Sequence, residues 1–251
     1  MTSTLWKEPI AEMLTAVRRV YEEAGLDQSA TKPEIVPLYD LIGAYPIRVA
    51  ELKDLTYQIA ADFLRVETGQ RIPIPARKDK PLAGYLYVYE FATQFYGCIL
   101  VKANDMIQRR RFSAAHELGH YVLHFLPRLE REKYRYSSEP VILAEGLSFG
   151  DDDSKTSDLP WGDLSFIRGS KPCESMPAIE QMEREANQFA AEILMPAASC
   201  QALFTHYNRQ LGNRPSVLIR RLATELLVSK EAMKWRLTNL GLLQRKLTNL
   251  N

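Results

Sequence analysis

Histidine is scarce in this chain, with four among 251 residues. Cysteine is scarce too: Cys98, Cys173 and Cys200 are odd in number and far apart. That pattern argues against a disulfide framework and fits free thiols in a reducing, cytoplasmic compartment. None stands close to another, so none is assigned a metal. No run of about 18 apolar residues is present, so no membrane span is expected. The opening residues, Met1-Thr2-Ser3-Thr4-Leu5-Trp6-Lys7-Glu8-Pro9, lack a basic start and an apolar stretch, so no signal peptide is expected either. Charge of one sign is also missing. The formal net charge of +1 leaves no field strong enough to drive nucleic-acid binding by itself. What remains is a chain with 46% hydrophobic residues, enough for one large domain or one domain with a small appendage.

Three of the four histidines fall in Phe112-Ser113-Ala114-Ala115-His116-Glu117-Leu118-Gly119-His120-Tyr121-Val122-Leu123-His124. On a helix, His116 and His120 lie on one face about 6 Å apart along the axis, so both imidazoles can reach one metal ion. Zinc is the usual occupant of such a pair. Glu117 sits about 100° round the helix from His116, where it can flank the ion without ligating it and take a proton from the attacking water. Bare five-residue matches arise by chance, but the context here is supportive. Leu118, Val122 and Phe125 form an apolar stripe about 200° from the histidine face, so one side of the helix can enter a core while the other carries a metal. His124 continues the histidine face, yet about 12 Å of rise separates it from His116, too far to share one ion. It is expected to pack or hydrogen-bond at the helix end before Pro127, the alternative being a place at the cleft rim.

A third ligand is sought in Ile179-Glu180-Gln181-Met182-Glu183-Arg184-Glu185-Ala186-Asn187-Gln188-Phe189-Ala190-Ala191-Glu192-Ile193-Leu194-Met195-Pro196, a run of strong helix formers ended by proline. Glu183 and Asn187 share a face one turn apart. Ala186, Ala190 and Ala191 lie on or near it and would let two helices approach closely. Glu183 is the favoured ligand and Glu180 its main competitor, with Asn187 placed to orient a ligand histidine. Taken alone, such glutamates would simply solvate a surface helix.

Together, His116-Glu117-Leu118-Gly119-His120, Glu183-xx-Ala186-Asn187-x-Phe189-Ala190 and Leu194-Met195-Pro196 resemble the ImmA/IrrE family of zinc metallopeptidases, over roughly residues 85 to 245. The resemblance implies that His116, His120 and Glu183 bind Zn2+ and that Glu117 is the base. It implies a glutamate-zincin core with a few strands beside the two motif helices. It also implies a protein substrate, a helix-turn-helix repressor or antitoxin of the cytoplasm. The stretch between His120 and Glu183 departs from the pattern by a long insertion.

The fold class expected is therefore α+β, a zincin-like metallopeptidase core with a small mixed or antiparallel sheet and a C-terminal helix-turn-helix-like segment. Residues 1–70 are read as an N-terminal helical region, 71–212 as the core and 213–251 as the helix-turn-helix-like part. Helices are expected over 8–25, ending at Gly25, and over 48–66, closed by Gly69. Ile72-Pro73-Ile74-Pro75 is expected to be extended at a sheet edge. Leu86-Tyr87-Val88-Tyr89 and Gly97-Cys98-Ile99-Leu100-Val101 are expected strands. A strand beside the metal helix can bind extended peptide by edge addition. Arg109-Arg110-Arg111 is read as a solvated charge run, with attraction of an acidic substrate the lesser alternative. The acidic insertion over 130–177 has no apolar period; a substrate-selecting flap and a passive excursion both fit it. A calcium loop there lacks the required glycine and glutamate. Tyr121, His124, His206 and Tyr207 are unranked candidates for steadying an oxyanion.

In the C-terminal part, Leu218, Leu222 and Leu226 face one way, Ser229 can cap a second helix and Gly241 can end it. Lys230, Lys234 and Arg236 would project from that helix, and the basic excess, which includes Arg245 and Lys246, fits DNA contact. Nucleic acid is nonetheless not the favoured partner. The competing class of function is a DNA- or protein-binding regulator with a structural zinc and no proteolysis.

Overall fold

In the computed structural model, residues 11–27, 35–72, 74, 79–91, 94–127, 145–147, 179–212 and 214–243 are described. The architecture is α+β with a zincin-like core, built on a mixed sheet. Aromatic and β-branched residues carry the central hairpin, β2 (Gly84–Phe91) against β3 (Gln94–Lys102), with Gly84 opposite Val101 and Phe91 opposite Gln94. β1 (Ile47–Leu52) runs parallel to β3, Ile47 beside Gly97 and Leu52 beside Lys102. β4 (Glu145–Leu147) pairs antiparallel with β2, giving the order β1-β3-β2-β4.

Alternation along these strands divides the core in two. Leu86, Val88, Ile99 and Val101 join the large cluster that includes the metal helix, while Tyr85, Tyr87, Cys98 and Leu100 join Leu55, Ala60, Ala61 and Leu64 on the other side. The helices are α1 (Ala11–Glu23), α2 (Leu38–Gly43), α3 (Tyr57–Thr68), α4 (Ile107–His120), α5 (Ile179–Leu194), α6 (Ala197–Leu211), α7 (Pro215–Glu225) and α8 (Lys230–Asn239). α3 covers the second face of the sheet, and α4, α5 and α1 pack on the first. α1 buries Met13, Val17, Val20 and Tyr21, the recurrence of a one-sided helix, and Gly25 follows with a φ of 66°. No helix among the described residues is long and apolar enough to cross a membrane.

The helix expected over 48–66 is corrected. Its first part is β1, and α3 begins only at Tyr57, where the Thr56 hydroxyl accepts the Ile59 amide at 3.3 Å. Parallel pairing with β3, a partner about fifty residues ahead, draws residues 47–52 into the sheet, and local periodicity does not report such a contact. The C-terminal end was legible: Gly69 takes a φ of 69° directly after α3.

The arginine run is corrected as well. Arg109 pairs with Asp105, Arg110 with Glu51, and buried Arg111 donates to the Val36 carbonyl at 2.9 Å. These side chains fasten the start of α4 to its surroundings. They do not form a solvated face.

α7 and α8 are joined through residues 226–229, with the Ser229 hydroxyl accepting the Ala232 amide and Gly241 at a φ of 69° beyond α8. Leu222, Met233 and Leu237 enter the same cluster as the metal helix. Arg236 does not project outward. It is buried, donates through Nε to the Met195 carbonyl at 2.9 Å and pairs with Glu192 of α5. Lys230 and Lys234 are exposed. Cys98 and Cys200 are buried free thiols, and burial pushes them up to about 12 and about 11. Cys173, Arg245, Lys246, Pro73, Pro75 and all of the insertion except β4 lie outside the described residues.

Candidate metal centre

The site begins with a close helix crossing. Gly119 of α4 meets α5 where a Cβ would stand 3.2 Å from the Ala186 Cα and 3.0 Å from Phe189 Cδ1. Any side chain at Gly119 would press on the α5 backbone there. With Ala186 on the contact, Glu183 and Asn187, the neighbouring turn positions of α5, face the histidines of α4. His116, Glu117, His120 and Glu183 are all buried, the first two completely.

Three donor groups converge there. Glu183 Oε2 lies 3.3 Å from His116 Nε2, and Oε1 lies 3.4 Å from His120 Nε2. Ligands about 2.0–2.1 Å from a tetrahedral ion stand about 3.3–3.4 Å from one another, so both separations fit a shared cation. The two Nε2 atoms are 2.8 Å apart, which is shorter than that and is the length of a hydrogen bond between the rings. All ligand atoms of the three residues fall within 4.8 Å of each other.

His116 Nδ1 lies 3.1 Å from Asn187 Oδ1. With the amide oxygen as acceptor, Nδ1 carries the proton and Nε2 directs its lone pair at the other two donors, the tautomer that a metal requires. Burial alone would raise the Glu183 carboxyl, but hydrogen-bond donation and positive charge from the His116 and His120 rings outweigh that and hold it below the usual carboxylate range, a role that passes to a cation when Nε2 offers its lone pair instead. A buried carboxylate facing two imidazoles is thus kept charged, which suits a divalent cation. The donor set, two nitrogens and a carboxylate, is the kind zinc takes in hydrolytic sites. The side chain of Glu180 lies outside the described residues.

Glu117 leans on the sheet. A Cβ at Gly84, the first residue of β2, would come within 2.6 Å of Glu117 Oε1, 3.2 Å of its Cγ and 3.3 Å of Ser113 Cβ. Gly84 escaped the sequence reading. The signal was there, since glycine inside a strand often marks a close approach by another group. Beyond His120 the helix widens over Tyr121–Phe125, the Leu126 amide reaching back to the Tyr121 carbonyl. His124, on this wide turn, lies 3.2 Å from the Met182 carbonyl through Nε2, and burial beside His120 holds it down at about 4. It is the packed, hydrogen-bonding residue expected at the helix end.

Of the other oxyanion candidates, His206 and Tyr207 have polar partners of their own, and Tyr121 packs through its ring. Tyr121 is buried with its ring edge-on to Tyr45 at 5.8 Å. His206 lies 3.1 Å from Gln210 on α6, and the Tyr207 hydroxyl donates to Glu225 at 2.7 Å.

A buried pair of helical histidines and a carboxylate from a second helix form a group that could hold a metal ion, with a glutamate beside the first histidine, on an α+β fold. Comparison with protein families then places the chain. Residues 72–140 and 175–238, more than half of it, match the Peptidase_M78 family, described as the IrrE N-terminal-like domain. The chain belongs to this family. No curated protein matches it.

Proposed function

We propose that this protein is a zinc-dependent endopeptidase acting on a cytoplasmic regulatory protein. The observation that carries the reading is the convergence of His116, His120 and Glu183 at ligand spacing next to a buried Glu117. His116, His120 and Glu183 would hold the ion, and Asn187 would fix the ring of His116. When bound, zinc supplies Lewis acidity that polarises a carbonyl and makes water nucleophilic near neutral pH. Glu117 would take the proton of the attacking water and return it to the leaving amine, the general-base and general-acid roles. The absence of a side chain at Gly84 leaves the space the Glu117 carboxylate occupies.

The substrate class, a helix-turn-helix repressor or antitoxin, rests on the resemblance to ImmA/IrrE proteins. The regulator reading with structural zinc gains little from the α7–α8 pair, because Arg236 is buried against Glu192. An intact Glu117 also favours hydrolysis, since a structural site needs no base. The test is to mix the purified product of the neighbouring open reading frame with this protein and zinc, and to follow fragments by mass spectrometry. Fragments are expected with wild type and not with Glu117→Gln or in the presence of chelator. An intact partner in every arm counts against this substrate. Equal cleavage by wild type and Glu117→Gln counts against the mechanism.

A further inference from the structure

The histidines of α4 and of the wide turn that extends it meet α5 at successive levels. His116 reaches Asn187, His116 and His120 face Glu183, and His124 reaches the Met182 carbonyl. The metal reading uses the first two histidines only, since helical rise keeps His124 from sharing an ion with His116. Its contact is nonetheless next to the site. The Met182 carbonyl belongs to the peptide unit that joins Met182 to Glu183, and a peptide unit is planar from one Cα to the next. A hydrogen bond to that carbonyl therefore restrains the Cα from which the Glu183 carboxylate departs. A carbonyl only accepts, so Nε2 of His124 carries the proton and donates across 3.2 Å. The His124 side chain is 5% exposed, which leaves little room for water to replace the bond. Glu183 gains from such restraint, because it lies in the second turn of α5, which begins at Ile179, and helix ends fray. His124 is carried by the wide turn Tyr121–Phe125, and single wide turns of this kind are frequent at functional sites.

We propose that His124 is a positioning residue for the metal centre: with His116 it grips α5 on both sides of Glu183 and presets that carboxylate for a cation. The proposal rests on the reading of His116, His120 and Glu183 as ligands. Asn187 orients a histidine of α4 from α5, and His124 returns the restraint from the end of α4 to α5. A ligand held in place before the ion arrives gives up less freedom on binding, so the grip is expressed as affinity. The other polar group beside His124 is Glu185, whose Oε2 lies 3.9 Å from Nδ1, beyond hydrogen-bond length.

The test reads metal binding and needs no substrate. Zinc affinity is measured by competition with a chromophoric chelator for wild type, His124→Met, His124→Gln and Glu185→Gln, each shown by circular dichroism to be folded without metal. The cobalt-loaded proteins are then compared by visible absorption, whose bands report coordination geometry. Methionine and glutamine are alike in length and differ in the donor. His124→Met should bind zinc about tenfold more weakly than wild type and show an altered cobalt spectrum. His124→Gln should recover most of the affinity and the wild-type spectrum, and Glu185→Gln should match wild type. Wild-type affinity with an unchanged spectrum in folded His124→Met overturns the proposal. Equal weakening in His124→Met and His124→Gln overturns it too, as the mark of lost packing, and so does equal weakening in Glu185→Gln, as the mark of lost charge. If His124→Met does not fold, His124→Leu takes its place. Full zinc in the protein with both His116 and His120 replaced by alanine is a separate failure, that of the metal site itself.

Discussion

α5 buries a carboxylate near each end, and the two are neutralised in different ways. Glu192, near the C-terminal end, pairs with the Arg236 guanidinium and accepts the Ala197 amide at 3.2 Å. Its partners are permanent donors; a guanidinium does not lose its proton and binds nothing else through that nitrogen. Glu183, near the other end, faces His116 and His120. Imidazoles carry charge only conditionally, and with Nδ1 of His116 held by Asn187 the facing nitrogen offers a lone pair. One carboxylate is closed into the scaffold, while the other belongs to a donor set that could hold a cation. Burial is nearly equal, 5% and 4% exposed, so partner chemistry alone separates structure from site.

The sharpest break of this comparison is at the histidines. Replacing His116 and His120 together by alanine should remove essentially all bound zinc and all cleavage; full zinc by elemental analysis in that variant would end the site assignment. Glu183→Ala should behave similarly, and Glu180→Ala should not. At the closed end the loss should be in stability. Arg236→Met leaves Glu192 buried without its cation, a change that costs about 3–5 kcal/mol. Urea unfolding should show it, with zinc per folded molecule unchanged. Glu192→Leu combined with Arg236→Met should recover most of that loss, and a fall in zinc parallel to stability would erase the distinction between the two ends.

Glu117→Gln tests chemistry without touching either carboxylate of α5. Cleavage should drop by at least about a hundredfold, while zinc content and unfolding midpoint stay near wild type. Asn187→Ala should have a smaller effect. Freed of its partner, His116 loses the fixed tautomer, and zinc affinity should weaken by roughly 10–100-fold in competition with a chromophoric chelator. Unchanged affinity would remove Asn187 from the site. The least effect is expected from Lys230→Gln with Lys234→Gln. Anisotropy with promoter DNA from the same locus should show no sequence-specific binding before or after. Submicromolar binding lost on substitution would revive the regulator reading.

Much of this was legible before any coordinates. His116, Glu117 and His120 are neighbours on one helix, so their relation follows from helical spacing. Thr56, Ser229, Gly69 and Gly241 mark helix ends by local chemistry, although Thr56 falls inside the helix expected over 48–66. β2 and β3 were read from residues whose shape suits a pleated surface. Less was legible wherever a residue's role depends on a distant partner. Arg236 looked like an outward base contact because its charge is visible in sequence and Glu192 is not visible beside it. Gly84 looked unremarked until Glu117 was seen against it.

By itself, the sequence determined the helical histidine pair, the glutamate next to it and the second helix with its small residues. These are properties of intervals of three and four along one chain, where backbone geometry sets the distances. Only the tertiary structure decided that Gly119 and Ala186 would bring those helices into contact, that residues 47–52 would join the sheet, and that β4 would lie on β2 beside Glu117. Each of these brings together residues far apart in the chain. Contacts of that kind are chosen by packing and backbone pairing across the whole core, and no local interval encodes them.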